Sequence, residues 1–331
     1  MTPYIDKITI SGNNIDLIKE FLAEIVIMPK DLLRKWALIT KQTPAIKLGY
    51  IGQHLASLIT GVPGTGTGAR GDDLADGSEV KSCNKIDQAD KCKDCGTRVM
   101  RIEDICSSCG STNIERKDDS KWLFTIREEH ELNQYLNMDR VVLILMDYPG
   151  FNENNFKDIR ISCFEIYPKE NRMSVFCDLI RNHYYNIYLP KAQAGQKTNP
   201  MNLHPFGFQF YKCNPVKIFS CIIKNIDTEP EIIIDEDGYV SPESPRSSSI
   251  PSLMMPSQLL KKNEWEILLA TADYDSEISP LMTESIDISQ FKKLSNTEKS
   301  RILPELDENL RSYIPLREII SIRQQSHYQR H

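Results

Sequence analysis

The segment 71–81 combines two carboxylates and a lysine around a tight turn. Asp76-Gly77 is typical of a two-residue type I′ hairpin turn, in which both central residues have positive φ. With the turn there, Asp72, Glu79 and Lys81 lie on one face of the hairpin, because side chains alternate along a strand. Carboxylate oxygens suit Mg²⁺, and a lysine can orient or activate water. The segment therefore predicts metal-assisted hydrolysis of a phosphodiester.

The same hairpin turns Asp73 and Val80 towards the other face. A bulge in the first strand would exchange Asp72 with Asp73, so Asp73 stays open as the alternative metal ligand. We expect the main-chain carbonyl of Val80 to be a further ligand of Mg²⁺.

Two Cys-x-x-Cys pairs follow this hairpin, Cys92 with Cys95 and Cys106 with Cys109, and a glycine comes directly after each pair. Four thiolates at this spacing suit tetrahedral Zn²⁺ with no open coordination position, so the predicted zinc site is structural. A ribbon this small buries little apolar surface, and zinc is expected to supply its folding energy, on the order of 10 kcal/mol.

The stretch 68–82, with Asp72, Glu79, Val80 and Lys81 inside it, resembles the PD-(D/E)XK nuclease signature in a compact form. Together with the two cysteine pairs, it is similar to the MamI family of type II restriction endonucleases over residues 45–220. The resemblance implies a homodimer that binds double-stranded DNA, uses Mg²⁺ and leaves a 5′-phosphate and a 3′-hydroxyl. It also implies an interrupted palindrome as the target. Arg70-Gly71 stands where the superfamily often has proline before the first aspartate.

Apolar periodicity predicts an α/β protein with a mixed sheet and a helical C-terminal region. The resemblance implies that this sheet belongs to a PD-(D/E)XK core, into which the zinc ribbon is inserted. Helices are expected at 15–27, where Pro29 ends the first helix, and at 31–39, 45–59, 127–136, 258–272 and 286–322. Strands are expected at 121–126, 140–147, 161–167 and 215–223, and a helix passing into a strand at 175–189. The predicted segments are N-terminal helices 1–60, nuclease core 61–225 with the ribbon at 84–115, an acidic linker rich in proline and serine at 226–257, and helices 258–331.

A polar loop over 190–205 carries side chains that suit DNA. Glutamine and asparagine can bond the edge of adenine, and lysine reaches guanine or phosphate. The predicted pool of DNA contacts is Lys191, Gln193, Gln196, Lys197, Asn199, Asn202 and His204. For any one of them, an ordinary place in a surface loop is an equal alternative. The glycine-rich stretch 61–68 lacks the lysine of a nucleotide-binding loop and is predicted to lie beside the active site.

The net charge of −6 is unevenly distributed along the chain. Residues 227–287 hold 14 acidic and three basic side chains, so the rest of the chain carries +5. This separation permits DNA binding without arguing for it. The start of the chain lacks the features of a signal peptide, and the longest aliphatic run, 141–146, is too short to span a bilayer. With four of nine cysteines in close pairs, a cytoplasmic protein without membrane contact is expected.

The sequence thus predicts a type II site-specific deoxyribonuclease of a restriction-modification system. One alternative is a repair or junction-resolving nuclease that reads the shape of DNA. The other is a zinc-ribbon adaptor that binds nucleic acid or protein and has no catalytic activity. The first alternative predicts uniform cutting of branched DNA, and the second predicts binding without cleavage.

Overall fold

A computed structural model of the chain describes residues 14–40, 42, 46, 48–66, 72–86, 88–101, 103–245 and 250–317. The strands are β1 (Glu79–Asn84), β2 (Asp90–Cys92), β3 (Arg98–Val99), β4 (Ile114–Glu115), β5 (Trp122–Phe124), β6 (Val141–Asp147), β7 (Ile159–Ile166), β8 (Met201–Leu203), β9 (Val216–Lys224), β10 (Glu231–Ile234), β11 (Met255–Pro256) and β12 (Glu305–Leu306). The α-helices are α1 (Ile15–Phe21), α2 (Met28–Thr40), α3 (Leu48–Thr60), α4 (Glu129–Asn137), α5 (Val175–Asn182), α6 (Leu189–Gln193), α7 (Phe208–Lys212), α8 (Lys262–Thr271), α9 (Ile288–Lys293), α10 (Asn296–Ile302) and α11 (Glu308–Ser312).

The chain divides into two compact units, and it passes between them several times. The first unit comprises Met1–Trp122, Asp139–Glu165 and Lys217–Arg246. The second comprises Leu123–Met138, Ile166–Val216 and Ser247–His331. Neither unit is one continuous piece of the sequence.

A five-stranded mixed sheet forms the centre of the first unit, in the order β1-β6-β7-β9-β10. β1 runs parallel to β6, with Glu79 beside Val141 and Lys81 beside Leu143, whereas β9 and β10 are antiparallel. β6 is buried along its whole length, as its unbroken run of valine, isoleucine and leucine predicts. The prediction of an α/β protein with a mixed sheet is confirmed.

Helix α3 covers the sheet beside β1, and a glycine permits its close approach. A Cβ atom at Gly52 would come 1.7 Å from Oγ of Ser82 on β1, so no larger residue fits there without a shift. Leu55 and Ile59 are fully buried on the same helix. The position of α3 matters because the next residue, Gln53, takes part in the candidate site.

The second unit is mainly helical and contains α4 to α11. It also holds β8, which pairs with β5, and the short β11–β12 pair. The predicted C-terminal helices are confirmed by α8 to α11, and residues 318–322 of that prediction lie outside the described residues. In the described part of the chain, no helix combines the length and apolar character needed to cross a membrane.

Two helices continue through prolines that were predicted to end or exclude them. A π-helical turn, Leu22–Ile27, joins α1 to α2, and another, His183–Tyr188, joins α5 to α6. At their ends the N–H groups of Met28 and Leu189 donate to carbonyls five residues earlier. Proline lacks an N–H and clashes with the carbonyl four residues before it, and the wider turn shifts the hydrogen bonding just before each proline.

Several predicted boundaries therefore need correction. Pro29 does not end the first helix, and the segment 175–189 is helical to its end and does not pass into a strand. The predicted loop 190–205 begins with helix and includes β8. The interval 226–257, predicted as a linker, contributes β10 to the main sheet, where it pairs with β9.

Candidate active site

The turn before β1 differs from the predicted type I′ hairpin. The N–H of Gly77 donates to the carbonyl of Leu74 (3.0 Å), and the N–H of Leu74 donates to the carbonyl of Ser78 (3.2 Å). φ is positive at Gly77 (+80°) but not at Asp76. These features fit a three-residue loop, a type I turn followed by a left-handed glycine, so the predicted turn type is wrong. Leu74, and not Ala75, thus faces Ser78.

This one-residue shift turns Asp73 towards the strand that carries Glu79 and Lys81. The main-chain N–H of Val80 donates to Oδ2 of Asp73 at 2.8 Å. Glu79 and Lys81 form an ion pair, and their side chains are 18% and 23% exposed. Asp72 is exposed, and its main-chain carbonyl accepts a bond from Thr65 (2.6 Å). Of the two aspartates, Asp73 is the one held beside Val80 and half-buried with Glu79 and Lys81.

Electrostatics in this group disfavour two unneutralised carboxylates. Burial, and to a smaller extent the nearby Glu79 carboxylate, raises the pKa of Asp73 to about 6, against the lowering effects of the Val80 hydrogen bond and Lys81. A divalent cation would relieve this repulsion. The donor set, two carboxylates with a main-chain carbonyl between them in sequence, fits a hard metal ion such as Mg²⁺.

Gln53 on α3 also holds Asp73, since its side-chain amide donates to Oδ1 of that carboxylate. Gln53 was not among the residues predicted for the active site. A cleft of about 400 Å³ lies here; its lining residues are Tyr50, Gln53, His54, Ser57, Gly64, Thr65, Gly66 and Asp73. The predicted glycine-rich loop therefore does border the site, and its residues 67–68 lie outside the described residues.

Arg140 also holds the turn before β1 in place. No pattern in the sequence indicated this role. Its guanidinium donates to Oγ of Ser78 (2.9 Å), to Oε1 of Glu165 (2.9 Å) and to the carboxylate of Asp76. Arg140 and Glu165 are both buried. A buried arginine clamped to a buried glutamate is costly to disrupt, and here it orders the loop that delivers Asp73.

The four predicted zinc cysteines come together as expected. Their Sγ atoms all lie within 4.8 Å of one another, with Cys92 3.6 Å from Cys109 and Cys95 3.6 Å from Cys106. A tetrahedral zinc with Zn–S bonds of about 2.3 Å would set sulfurs about 3.8 Å apart, so the cluster fits this ion. Cys92 is the last residue of β2 in the small sheet β3-β2-β4, and the other three cysteines lie in the connections between its strands.

The glycine after each cysteine pair completes a tight turn of the main chain, as its position in the sequence predicts. The N–H of Gly96 donates to the carbonyl of Cys92 (2.9 Å), and that of Gly110 to the carbonyl of Cys106 (2.8 Å). Both glycines have positive φ, which favours residues without a Cβ.

A buried network of ion pairs attaches the zinc ribbon to the rest of the first unit. The sequence patterns did not indicate this network. The side chain of Asp90 is fully buried and forms ion pairs with Arg101 (3.1 Å) and Arg116 (2.9 Å). Arg101 lies over the ring of Phe151 and Arg116 over the ring of Phe156. These contacts join the ribbon to the loop that follows β6.

The predicted DNA-contact residues belong to the second unit. The exposed members are Lys191, Gln193, Gln196, Lys197 and Asn199. Asn202 is buried on β8 and His204 is partly buried. The side chains of the exposed members are accessible to a ligand. The side chain of Asn202 is buried and would have to become accessible before it could contact a base.

Part of the chain is similar to a known restriction enzyme. A stretch of 60 residues is 48% identical to the type II restriction enzyme MamI of Microbacterium ammoniaphilum, and it covers 18% of this chain and 20% of that protein. The chain thus aligns with about a fifth of this relative's length. No solved structure matches the chain.

The family comparison extends much further along the chain. The sequence profile of the MamI restriction endonuclease family matches residues 35–258, which include the candidate active site, the four-cysteine ribbon and the whole mixed sheet. The predicted resemblance is thereby confirmed over more than half of the 331 residues. This chain belongs to the MamI restriction endonuclease family.

Proposed function

We propose that the protein is a Mg²⁺-dependent type II restriction endonuclease that hydrolyses double-stranded DNA at a specific, interrupted palindrome. The observation that carries the proposal is the grouping of Asp73, Glu79 and Lys81 at the start of β1, in a chain that belongs to a restriction endonuclease family. In this proposal Asp73 takes the place first given to Asp72.

Asp73 and Glu79 hold the metal ion, with the Val80 carbonyl as a further ligand. When bound, Mg²⁺ lowers the pKa of a coordinated water and neutralises charge on the phosphate. Lys81 orients the attacking water and offsets the negative charge that develops on the phosphate oxygens. Gln53 donates to Oδ1 of Asp73 and would hold that carboxylate in position for a metal ion. The water oxygen bonds to phosphorus, and the bond to the 3′ oxygen breaks, which leaves a 5′-phosphate and a 3′-hydroxyl.

We further propose that the five-stranded sheet of the first unit is the centre of a PD-(D/E)XK nuclease core. The parallel pairing of β1 with β6, and the position of α4 between them in the sequence, support this assignment. Along the chain, the proposed organisation is N-terminal helices 1–60, the core 61–225 with the ribbon at 84–115, the segment 226–257, which adds β10 to the core sheet, and the C-terminal helices 258–331. Zn²⁺ on Cys92, Cys95, Cys106 and Cys109 has a structural role, because four thiolates leave no open position for chemistry.

The proposed DNA contacts outside the catalytic group are the polar residues of the α6–β8 region. The pool consists of Lys191, Gln193, Gln196, Lys197, Asn199, Asn202 and His204. A homodimer matches the two-fold symmetry of a palindrome, so that each protomer cuts one strand. Such an enzyme acts on DNA in the cytoplasm, within a restriction-modification system.

Digestion of unmethylated plasmid and phage DNA tests the proposal. The wild-type protein, with and without added Mg²⁺, is compared with Lys81→Ala and with Lys91→Ala, a matched lysine on the exposed position of β2. We expect discrete fragments from the wild type and from Lys91→Ala, and none from Lys81→Ala or without Mg²⁺. Sequencing the ends gives the target and the stagger.

The alternatives give different results in the same assay. Cutting confined to branched DNA, without discrete plasmid fragments, would indicate a junction nuclease. Intact DNA with every divalent metal, while binding persists, would indicate a zinc-ribbon adaptor and overturn the catalytic assignment.

A further inference from the structure

The N-terminal helical segment exposes an unusual number of large apolar side chains. In the described part of the chain, 11 large hydrophobic residues are exposed, and six of them lie between residues 25 and 39. They are Ile25 (39% exposed), Met28 (58%), Leu32 (53%), Trp36 (56%), Leu38 (51%) and Ile39 (62%). Scattered apolar residues on a surface need no explanation, whereas a contiguous group indicates an interaction surface.

Five of these residues form one stripe along the helix, which we call the apolar stripe: Ile25, Met28, Leu32, Trp36 and Ile39. Ile25, Leu32 and Ile39 are seven residues apart, and Met28 and Trp36 fill the intervals. A repeat of this kind keeps side chains on one side of an α-helix and is typical of helix–helix interfaces.

The stripe is separate from the face that the helix uses within its own unit. That inner face is formed by Ile18, Leu22, Val26 and Ala37, which are all buried. Its side of the helix is tied to α3, since Asn14 donates to the carbonyl of Leu58 (3.1 Å). The helix thus carries two apolar faces, and one of them is buried in the first unit.

The size of the exposed group suits a protein interface. The six exposed fractions together equal about three fully exposed large side chains, on the order of 600 Å². The largest apolar patch of a typical monomer is about 300–600 Å², and a stable interface buries about 800 Å² on each partner. The group and a polar rim around it approach the area of a standard dimer interface.

The charges beside the stripe indicate its partner. The exposed Glu20 and Glu24 lie towards its N-terminal end, and the exposed Asp31 lies near its middle. Lys35 lies towards its C-terminal end, where Arg34 is already paired with Asp227 (2.5 Å). Carboxylates along the helix disfavour DNA. The stripe also lacks the basic flank of helices that bind anionic membranes. A second copy in antiparallel orientation brings Glu24 of one helix towards Lys35 of the other.

We propose that the apolar stripe binds the same stripe of a second copy of this chain, antiparallel and about a two-fold axis. The proposal deepens the proposed function, because it gives the homodimer of that function a specific interface. A two-fold interface uses the same surface on both copies, and the stripe meets this requirement because it is apolar along its length and has Glu24 near one end and Lys35 near the other.

Sedimentation velocity at micromolar concentration, without DNA or added Mg²⁺, tests the interface. We expect a dimer for the wild type and a monomer for Leu32→Glu/Ile39→Glu, with a dissociation constant raised at least about a hundredfold. The matched control is Tyr185→Glu/Ile233→Glu, which alters two exposed apolar residues elsewhere and should stay dimeric. Unchanged far-UV circular dichroism and melting temperature show that the variants are folded.

A charge exchange tests the orientation. Glu24→Lys alone and Lys35→Glu alone should each weaken the dimer by about three- to tenfold, and the two together should restore it. In a parallel pair, like charges already face each other, so the combined variant would give no rescue.

Three results would overturn the proposal: a monomeric wild type, a dimer unaffected by Leu32→Glu/Ile39→Glu, or dissociation of the control. A monomeric wild type whose stripe variant melts at a lower temperature would mean that another part of the same chain covers the stripe. Dimerisation is measured without substrate, so a dimer that cuts no DNA contradicts only the proposed function. A monomer that cuts DNA contradicts only the interface.

Discussion

The main-chain N–H of Val80 donates a 2.8 Å hydrogen bond to Oδ2 of Asp73. This bond joins the turn before β1 to the strand that carries Glu79 and Lys81. It selects one of two adjacent aspartates, because the neighbouring Asp72 is exposed and its main-chain carbonyl accepts a bond from Thr65.

The two aspartates should differ in their importance for cleavage. Asp73→Asn removes a proposed metal ligand and should lower the cleavage rate by at least about a hundredfold, whereas Asp72→Asn should change it by less than about tenfold. Single-turnover cleavage of a fragment with one target site measures both rates. The reverse ranking would restore Asp72 as the ligand.

Stability without divalent metal should depend on the charge of Asp73. Its pKa is raised to about 6 in the folded protein, mainly by burial, so folding favours the protonated form. The stabilising contribution is complete below about pH 4 and is lost as the pH rises through 6. Asp73→Asn keeps this position neutral, and Gln53 can rotate its amide to accept from the new group.

We therefore expect Asp73→Asn to be more stable than the wild type at pH 8, by on the order of 1 kcal/mol because the site is partly solvated. The difference should shrink below pH 6. Urea unfolding from pH 5 to pH 8 without added Mg²⁺ measures it, with exposed Asp72→Asn as the control. If the difference in unfolding free energy between Asp73→Asn and the wild type stayed constant from pH 5 to pH 8, Asp73 would not have a raised pKa in the folded protein.

The clamp at Arg140 should be important for stability and for the site. Arg140→Met removes the arginine partner of the buried Glu165 carboxylate and should cost about 3–5 kcal/mol of unfolding free energy. Arg140→Met/Glu165→Met removes both charges and should regain most of that loss. Urea unfolding compares these variants with Arg181→Met, whose ion pair with Asp178 is exposed and should contribute less than about 1 kcal/mol.

The double variant also separates stability from catalysis. It lacks the bonds from Arg140 to Ser78 and Asp76, so cleavage should remain impaired even where stability recovers. Full recovery of both would mean that the clamp does not order the active-site loop.

Each chain should contain one tightly bound zinc ion. Atomic emission should find about one equivalent of Zn²⁺ in the wild type and in Cys83→Ser, and much less in Cys106→Ser. Removal of the zinc should expose four additional thiols to a chromogenic reagent, because the cluster is formed by four cysteines. Retention of zinc by Cys106→Ser would show that the ion lies elsewhere.

Local sequence patterns were sufficient for many elements of this protein. The unbroken apolar run of β6 and the alternating patterns of β7 and β9 gave strands close to their observed bounds. The two Cys-x-x-Cys pairs, each followed by glycine, gave the four-cysteine cluster, because both its ligands and its turns are set within a few residues. The same short range made the family resemblance visible.

Predictions failed where the outcome depended on contacts distant in the sequence or on small differences between backbone conformations. Asp76-Gly77 is compatible with two turn types, and the bonds of Arg140 to Asp76 and Ser78 hold the longer loop. Proline is a reliable helix breaker only in regular α-helices, so the π-helical turns before Pro29 and Pro190 were missed. Strand β10, which pairs with β9, was missed because it lies in a segment whose composition resembles a linker.

The sequence by itself determined which residue types are present for chemistry: adjacent aspartates, a glutamate and lysine two residues apart, and four cysteines in two pairs. Only the tertiary structure decided which aspartate faces that strand, which residues hold it, and which face of the first helix stays exposed. A one-residue shift in a turn reverses the face of every following side chain. The energy that sets this shift comes from partners such as the buried Arg140 and the partly buried Gln53, which lie far away in the chain.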